Sequence, residues 1–111
     1  MGMFTAPTND EVGAALADAI GNRPVQACVI GQSGSGGRVA IVATDVAVHV
    51  VRIGMFKLKP TQVVADHPLG TATASRSGLK FKVAKNSVKL GLADNARAAA
   101  LETYINSRVS G

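Results

Sequence analysis

Chemically suggestive residues gather in three places in this chain. The first is a glycine cluster, Gly31, Gly34, Gly36 and Gly37, inside "VIGQSGSGGRVA" from Val29. Glycine-rich turns after a strand hold phosphate when they open a helix, whose first amides meet the anion. Gly31 and Gly36 have the first spacing of G-x-x-x-x-G-K-[ST], but Gly37 and Arg38 stand where the lysine and the metal-binding hydroxyl are needed. Gly34 and Gly36 begin a G-x-G-x-x-G turn, and Val39 replaces its third glycine. The segment then runs into the β-branched "RVAIVA" rather than a helix. It reads as the tip of a β-hairpin with no nucleotide specificity, and nothing chemical is asked of Ser33 or Ser35.

The second group is the sparse set of candidate catalytic and metal-binding side chains. His49 and His67 have no cysteine or carboxylate at metal-ligand spacing. His49 falls in a strand and is expected to be packed and satisfied. His67 precedes Pro68 in an expected turn and should be exposed. Asp45, Asp66 and Asp94 each have a turn or helix-cap explanation. Cys28, the single cysteine, sits in an apolar run and reads as a buried, inert thiol. No cofactor, metal or catalytic constellation is expected, and the chain reads as a non-enzyme.

The third group is basic. The chain has 111 residues and a net charge of +5. Residues 51–90 concentrate the excess, with Arg52, Lys57, Lys59, Arg76, Lys80, Lys82, Lys85 and Lys89 against Asp66 alone. Lys57, Lys59, Lys80, Lys82 and Lys89 form the candidate interaction face. A contiguous stripe of them would suit an acidic partner or a polyanion, whereas scatter would mean plain solvation.

The elements that must carry these residues follow from periodicity. Thr8 and Glu11 have capping-box spacing, and Val12, Leu16, Ala19 and Ile20 share a face, so residues 8–21 read as a helix stopped by Gly21-Asn22. Residues 24–92 read as about seven short strands. "VQACVI", "RVAIVA" and "VAVHVVRI" are continuous and β-branched, with a Thr44-Asp45 turn between the last two. "FKLK", "TQVVA" and "TATAS" are expected strands of weaker character. "LKFKV" and "SVKLGL" alternate around a turn at Lys85-Asn86, which would bring Lys82 near Lys89. Residues 94–107 read as a closing helix capped by Asp94 or Asn95, with Leu101 and Ile105 on its apolar side. The expected class is therefore one mostly β domain with flanking helices (α+β): an N-terminal helix, an antiparallel barrel and a C-terminal capping helix.

Met1–Pro7 reads as loose. It shows no secretory signal, and Ala6 breaks the myristoylation pattern begun at Gly2. "VAIVATDVAVHVV" is interrupted by Thr44, Asp45 and His49 and is no membrane span, so a soluble, cytoplasmic protein is expected.

The glycine-broken strand, then "VAIVATDVAVHVVRIG" with its Thr44-Asp45 turn, then short alternating strands and a final helix, resembles bacterial pleckstrin-homology-like domains over residues 24–107. The resemblance implies a seven-stranded bent barrel plugged at one end by the C-terminal helix. It also implies a scaffold that displays surfaces to protein partners or assembles into homo-oligomers. Lipid-binding members gather several basic residues around the first hairpin. Here "GQSGSGG" is followed by Arg38 alone, so phosphoinositide recognition is not expected. An Sm-like, RNA-binding barrel is the nearest rival fold, and the final helix argues against it. The alternative function is a basic-face binder of nucleic acid or anionic membrane, and a small enzyme or ligand carrier, with a site assembled only in space, ranks third.

Overall fold

Thr8 opens the first helix through both halves of a capping box. Its hydroxyl accepts the Glu11 amide at 3.1 Å, and its own amide donates to Glu11 Oε1 at 2.9 Å. This computed structural model describes residues 7–109, so the sequence expectations for Met1–Ala6 lie outside the described residues. Pro7 itself is tied down, because its carbonyl accepts from Arg97 Nη1. The helix α1 spans Asn9–Ala15, shorter than the expected 8–21. Beyond Leu16 the chain continues as turns, and Gly21 (φ 71°) and Asn22 (φ 60°) take left-handed conformations that end it.

Seven strands follow: β1 (Ala27–Gln32), β2 (Arg38–Ala43), β3 (Ala47–Ile53), β4 (Pro60–Pro68), β5 (Ala74–Ser77), β6 (Lys80–Val83) and β7 (Asn86–Leu90). The helix α2 (Leu92–Ser107) closes the chain. The strands form one antiparallel sheet in the order β4-β3-β2-β1-β7-β6-β5. β4 and β5 are its two ends, and no ladder between them closes it. The class is mostly β with flanking helices (α+β), as the periodicity predicts.

The sheet has a layer on each face. Val29, Val39, Ile41, Val48, Val50, Phe81, Val83, Val88 and Leu90 point inward with Ala98, Leu101 and Ile105 of α2. Cys28, Ile30, Ala40, Val42, Val51 and Ile53 point the other way, under Val12, Leu16 and Ile20. This explains why β2 and β3 are continuous apolar runs, since successive side chains enter different cores.

Several local expectations are corrected. "FKLK" is a loop rather than a strand, and β4 instead runs the full length from Pro60 to Pro68. "TATAS" is mostly connection, because β5 begins only at Ala74. The β6–β7 turn is Ala84-Lys85, not Lys85-Asn86: Val83 pairs with Asn86, and Ala84 takes the left-handed φ of 52°. Gly91 caps α2 in place of Asp94 or Asn95. Asp94 sits in the first turn and accepts the Ile30 amide at 2.8 Å and Arg97 Nη2 at 2.7 Å. That carboxylate joins α2 to the part of β1 that β7 leaves uncovered.

Candidate functional site

The glycine segment is a hairpin tip, as expected. Gln32 pairs with Arg38, and inside them the Ser33 amide donates to the Gly37 carbonyl at 2.8 Å. Gly36 has φ 95°, a conformation that favours glycine. Gly31 serves packing, since a Cβ there would lie 2.7 Å from the Lys89 carbonyl oxygen. It is the residue that lets β7 approach β1.

Sheet register then decides which basic residues meet. Lys80 pairs with Lys89, Lys89 with Gln32, and Gln32 with Arg38. On β6 and β7 the neighbours Phe81, Val88 and Leu90 point into the core, so Lys80, Lys82 and Lys89 point to the outer face. Gln32 and Arg38 share that face by the same alternation. The result is a row of three cations and one amide across four adjacent strands, spanning about 14 Å at ordinary inter-strand spacing. Arg38 Nη1 is fixed by the Gly54 and Met55 carbonyls, each at 3.0 Å. A groove of ≈ 400 Å³ lies beside the row, lined by Gly34, Ser77, Leu79, Lys80, Ser87 and Lys89. Residues 67–93 contain no Asp or Glu, and Asp94, which lines a hollow with Gln32, Arg38 and Lys89, is held by Arg97 and the Ile30 amide.

The five predicted lysines therefore separate. Lys80 and Lys89 are direct cross-strand neighbours. Lys82 lies two residues along β6 and faces Ser87, so the expected Lys82–Lys89 approach is replaced by Lys80–Lys89. Lys57 and Lys59 are exposed on the β3–β4 loop, at the far side of the sheet order from β6. Gln32 and the alignment of Arg38 were missed by the sequence reading. Strict alternation in "LKFKV" signals an outward Lys80 and Lys82, but no local signal sets the register of β7 on β1.

Most of the titratable candidates have structural partners, whereas His67 Nε2 is buried without a hydrogen-bond partner. His49 is buried, and its Nδ1 donates to Asp66 Oδ1 at 2.6 Å. Its Nε2 lies 3.5 Å from Thr44 Oγ1. A hydroxyl, an imidazole and a carboxylate in this order have the connectivity of a nucleophilic triad. Here the hydroxyl is fully buried, and it accepts the Val46 and Ala47 amides at 3.4 and 3.3 Å. It holds the β2–β3 turn. Asp66 is thus not a turn residue, and lies in β4 directly opposite His49. Asp45, expected to bond its own backbone, is exposed and pairs with Arg23 at 3.0 Å. His67, expected in an exposed turn, is half-buried in β4.

Cys28 is buried, and its Sγ donates to Asn9 Oδ1 at 3.3 Å. Burial pushes the thiol pKa up, against a smaller downward pull from Arg97. It therefore stays protonated near neutral pH and is a poor nucleophile. Among the described residues no three His, Cys, Asp or Glu side chains are grouped to hold a metal ion. No helix among them is long and apolar enough to cross a membrane.

No protein-family model matches the chain, and no curated protein or solved structure matches it significantly.

Proposed function

We propose that this chain is a non-enzymatic interaction module of pleckstrin-homology-like architecture that docks an acidic surface of a protein partner on the row Lys80–Lys89–Gln32–Arg38. The single observation behind this reading is the row itself, three cations and an amide aligned on one face, whose neighbouring carboxylate, Asp94, is engaged by Arg97 and the Ile30 amide. Like charges directly opposite on a ladder repel by about 0.2–1 kcal/mol. A partner carboxylate between Lys80 and Lys89 would remove that repulsion and gain charge-assisted hydrogen bonds. Ser77 and Ser87 beside the groove supply hydroxyls for the partner's backbone. Support for the architecture is the strand order β4-β3-β2-β1-β7-β6-β5 followed by a helix on the inner face.

A protein is favoured over RNA because the described aromatic residues offer the row at most one exposed ring, Phe56, next to the Met55 carbonyl that holds Arg38. Phe81 is in the core, Phe56 is on the β3–β4 loop, and the Tyr104 hydroxyl donates to the Thr44 carbonyl at 3.0 Å. Single-stranded RNA recognition relies on such rings as stacking platforms.

The test compares the wild type with a Lys80→Glu, Lys82→Glu, Lys89→Glu variant. Probes are an acidic polypeptide, duplex DNA, RNA and anionic vesicles, each at two salt concentrations. The expected result is polypeptide binding that weakens with salt and is lost in the variant. Retention of every interaction by the variant would leave the face as solvation only. Binding confined to nucleic acid or to vesicles would replace the protein partner by that polyanion.

A further inference from the structure

The sheet has two unpaired ends, and they differ. β5 is four residues long, and its Arg76 is tied to Glu102 of α2 at 3.1 Å. β4 is nine residues long and contains no Lys or Arg. Its one acidic residue, Asp66, is held by His49. Edges of soluble sheets are commonly guarded by charges, prolines or bulges. β4 has a proline at each end and two register shifts against β3, but no charge from Thr61 to Ala65, which leaves that stretch open to another strand.

The exposed apolar residues mark the same edge. Among the described residues, the exposed large hydrophobic side chains are Val46, Met55, Phe56, Val63, Val64 and Leu92. All but Leu92 lie along β4. Val63 and Val64 are within it, at a register shift against Val50 and Val51. Met55 and Phe56 lie just before its start, and Phe56 is 97% exposed. Val46 adjoins its other end, where the Val46 carbonyl accepts the Leu69 amide at 3.0 Å.

We propose that the free edge of β4 is a self-association interface, on which β4 of a second copy pairs antiparallel across a two-fold axis. The occupant follows from the order of groups along the edge. Lys57 and Lys59 precede β4, and Asp66, half-exposed even while one of its oxygens is paired to His49, lies near its end. Antiparallel self-pairing sets the basic end of one copy beside the acidic end of the other, twice by symmetry. The same rotation carries Met55 and Phe56 of each copy toward Val46 of the other. Parallel pairing would instead set like beside like in charge. Pro60 and Pro68 carry no amide hydrogen, so they confine the ladder to the residues between them. An isologous pair consumes both β4 edges, so assembly stops at two chains. This surface adjoins the cationic row at the β3–β4 loop, whose Gly54 and Met55 carbonyls hold Arg38, but the pairing of β4 edges does not depend on the function proposed for that row.

The test is the mass in solution by light scattering and sedimentation, from micromolar to millimolar chain. The wild type is expected to reach the mass of two chains. Val64→Lys places a charge on the edge, and Phe56→Glu does so on an exposed loop side chain whose change leaves the monomer fold intact. Each is expected to return the mass to one chain, with circular dichroism spectra unchanged. Lys57→Glu with Lys59→Glu is expected to raise the dimer dissociation constant at least tenfold. A wild type that stays monomeric at millimolar concentration would overturn the proposal. So would a dimer that survives Phe56→Glu, or one abolished by the Lys80, Lys82 and Lys89 substitutions instead.

Discussion

Strands β2 and β3 are buried on both faces, whereas β6 and β7 are buried on one. All of β2 but Arg38 and all of β3 but Ala47 and Arg52 are buried, whereas β6 buries only Phe81 and Val83 and β7 only Val88 and Leu90. The first pair lies between α1 and the inner core, so every position is asked to be apolar or satisfied. That is why His49 there takes Asp66 as a partner. The second pair has no helix over its outer face, so alternate positions are free to carry charge. One half is thus packed on both faces, and the other, the display half, leaves its outer face to solvent. The two halves meet along a narrow seam, Gly31↔Leu90 and Gln32↔Lys89.

The largest expected effect tests whether the halves share one core. Phe81 is on β6 but is fully buried in the inner cluster with β1, β2, β3 and α2 residues. Phe81→Ala should cost about 3–5 kcal/mol, read from the denaturation midpoint at constant slope. A loss confined to a β5–β7 pre-transition would mean that the display half folds on its own.

Leu16→Ala probes the opposite layer. Leu16 is fully buried in the outer cluster, at 0% accessibility. Its truncation should cost about 2–5 kcal/mol in one cooperative transition. An early loss of helical signal, with the sheet intact, would show that α1 is only an accessory layer.

Gly31→Ala attacks the seam. The added methyl would meet the Lys89 carbonyl oxygen at 2.7 Å and Val88 Cγ2 at 2.9 Å. Overpacking of this kind costs about 1–3 kcal/mol. Hydrogen exchange should quicken at β7 amides and stay slow in β2 and β3. Equal quickening in both halves would mean that the seam is not a boundary.

The contrast between halves also explains what could be read from the sequence. Thr8-Glu11, the hairpin nature of Gly31–Gly37 and the alternation in "LKFKV" are local signals, and each produced its element in place. "FKLK" alternates as sharply, yet the Lys59 amide donates to the Lys57 carbonyl at 2.9 Å, which folds the segment back on itself. Pro60 begins β4, an edge strand where proline is tolerated. Continuous apolar runs announced β2 and β3 but not which residues faced α1. The cationic row was hidden for another reason: Lys89 and Gln32 are distant in the chain, and their pairing depends on β7 reaching β1. Asp66 and His49 are likewise joined only by the β3–β4 register.

The smallest effect isolates the cost of the display half. Lys80 and Lys89 are directly opposite, while Lys82 on the same face is opposite Ser87. Lys89→Thr removes the facing charge but also gains β propensity, so its effect alone is ambiguous. Lys82→Thr gains the same propensity in the neighbouring strand without relieving a directly opposed pair. The difference between the two variants therefore reads the Lys80–Lys89 repulsion. Lys89→Thr is expected to be the more stable by about 0.2–1 kcal/mol at low ionic strength. At 1 M salt, where the screening length falls to about 3 Å, the difference should shrink toward zero. A difference of the same size at both salt concentrations would assign it to packing rather than charge. The uncompensated face would then cost the fold nothing, and its lysines would lose their electrostatic argument for a partner.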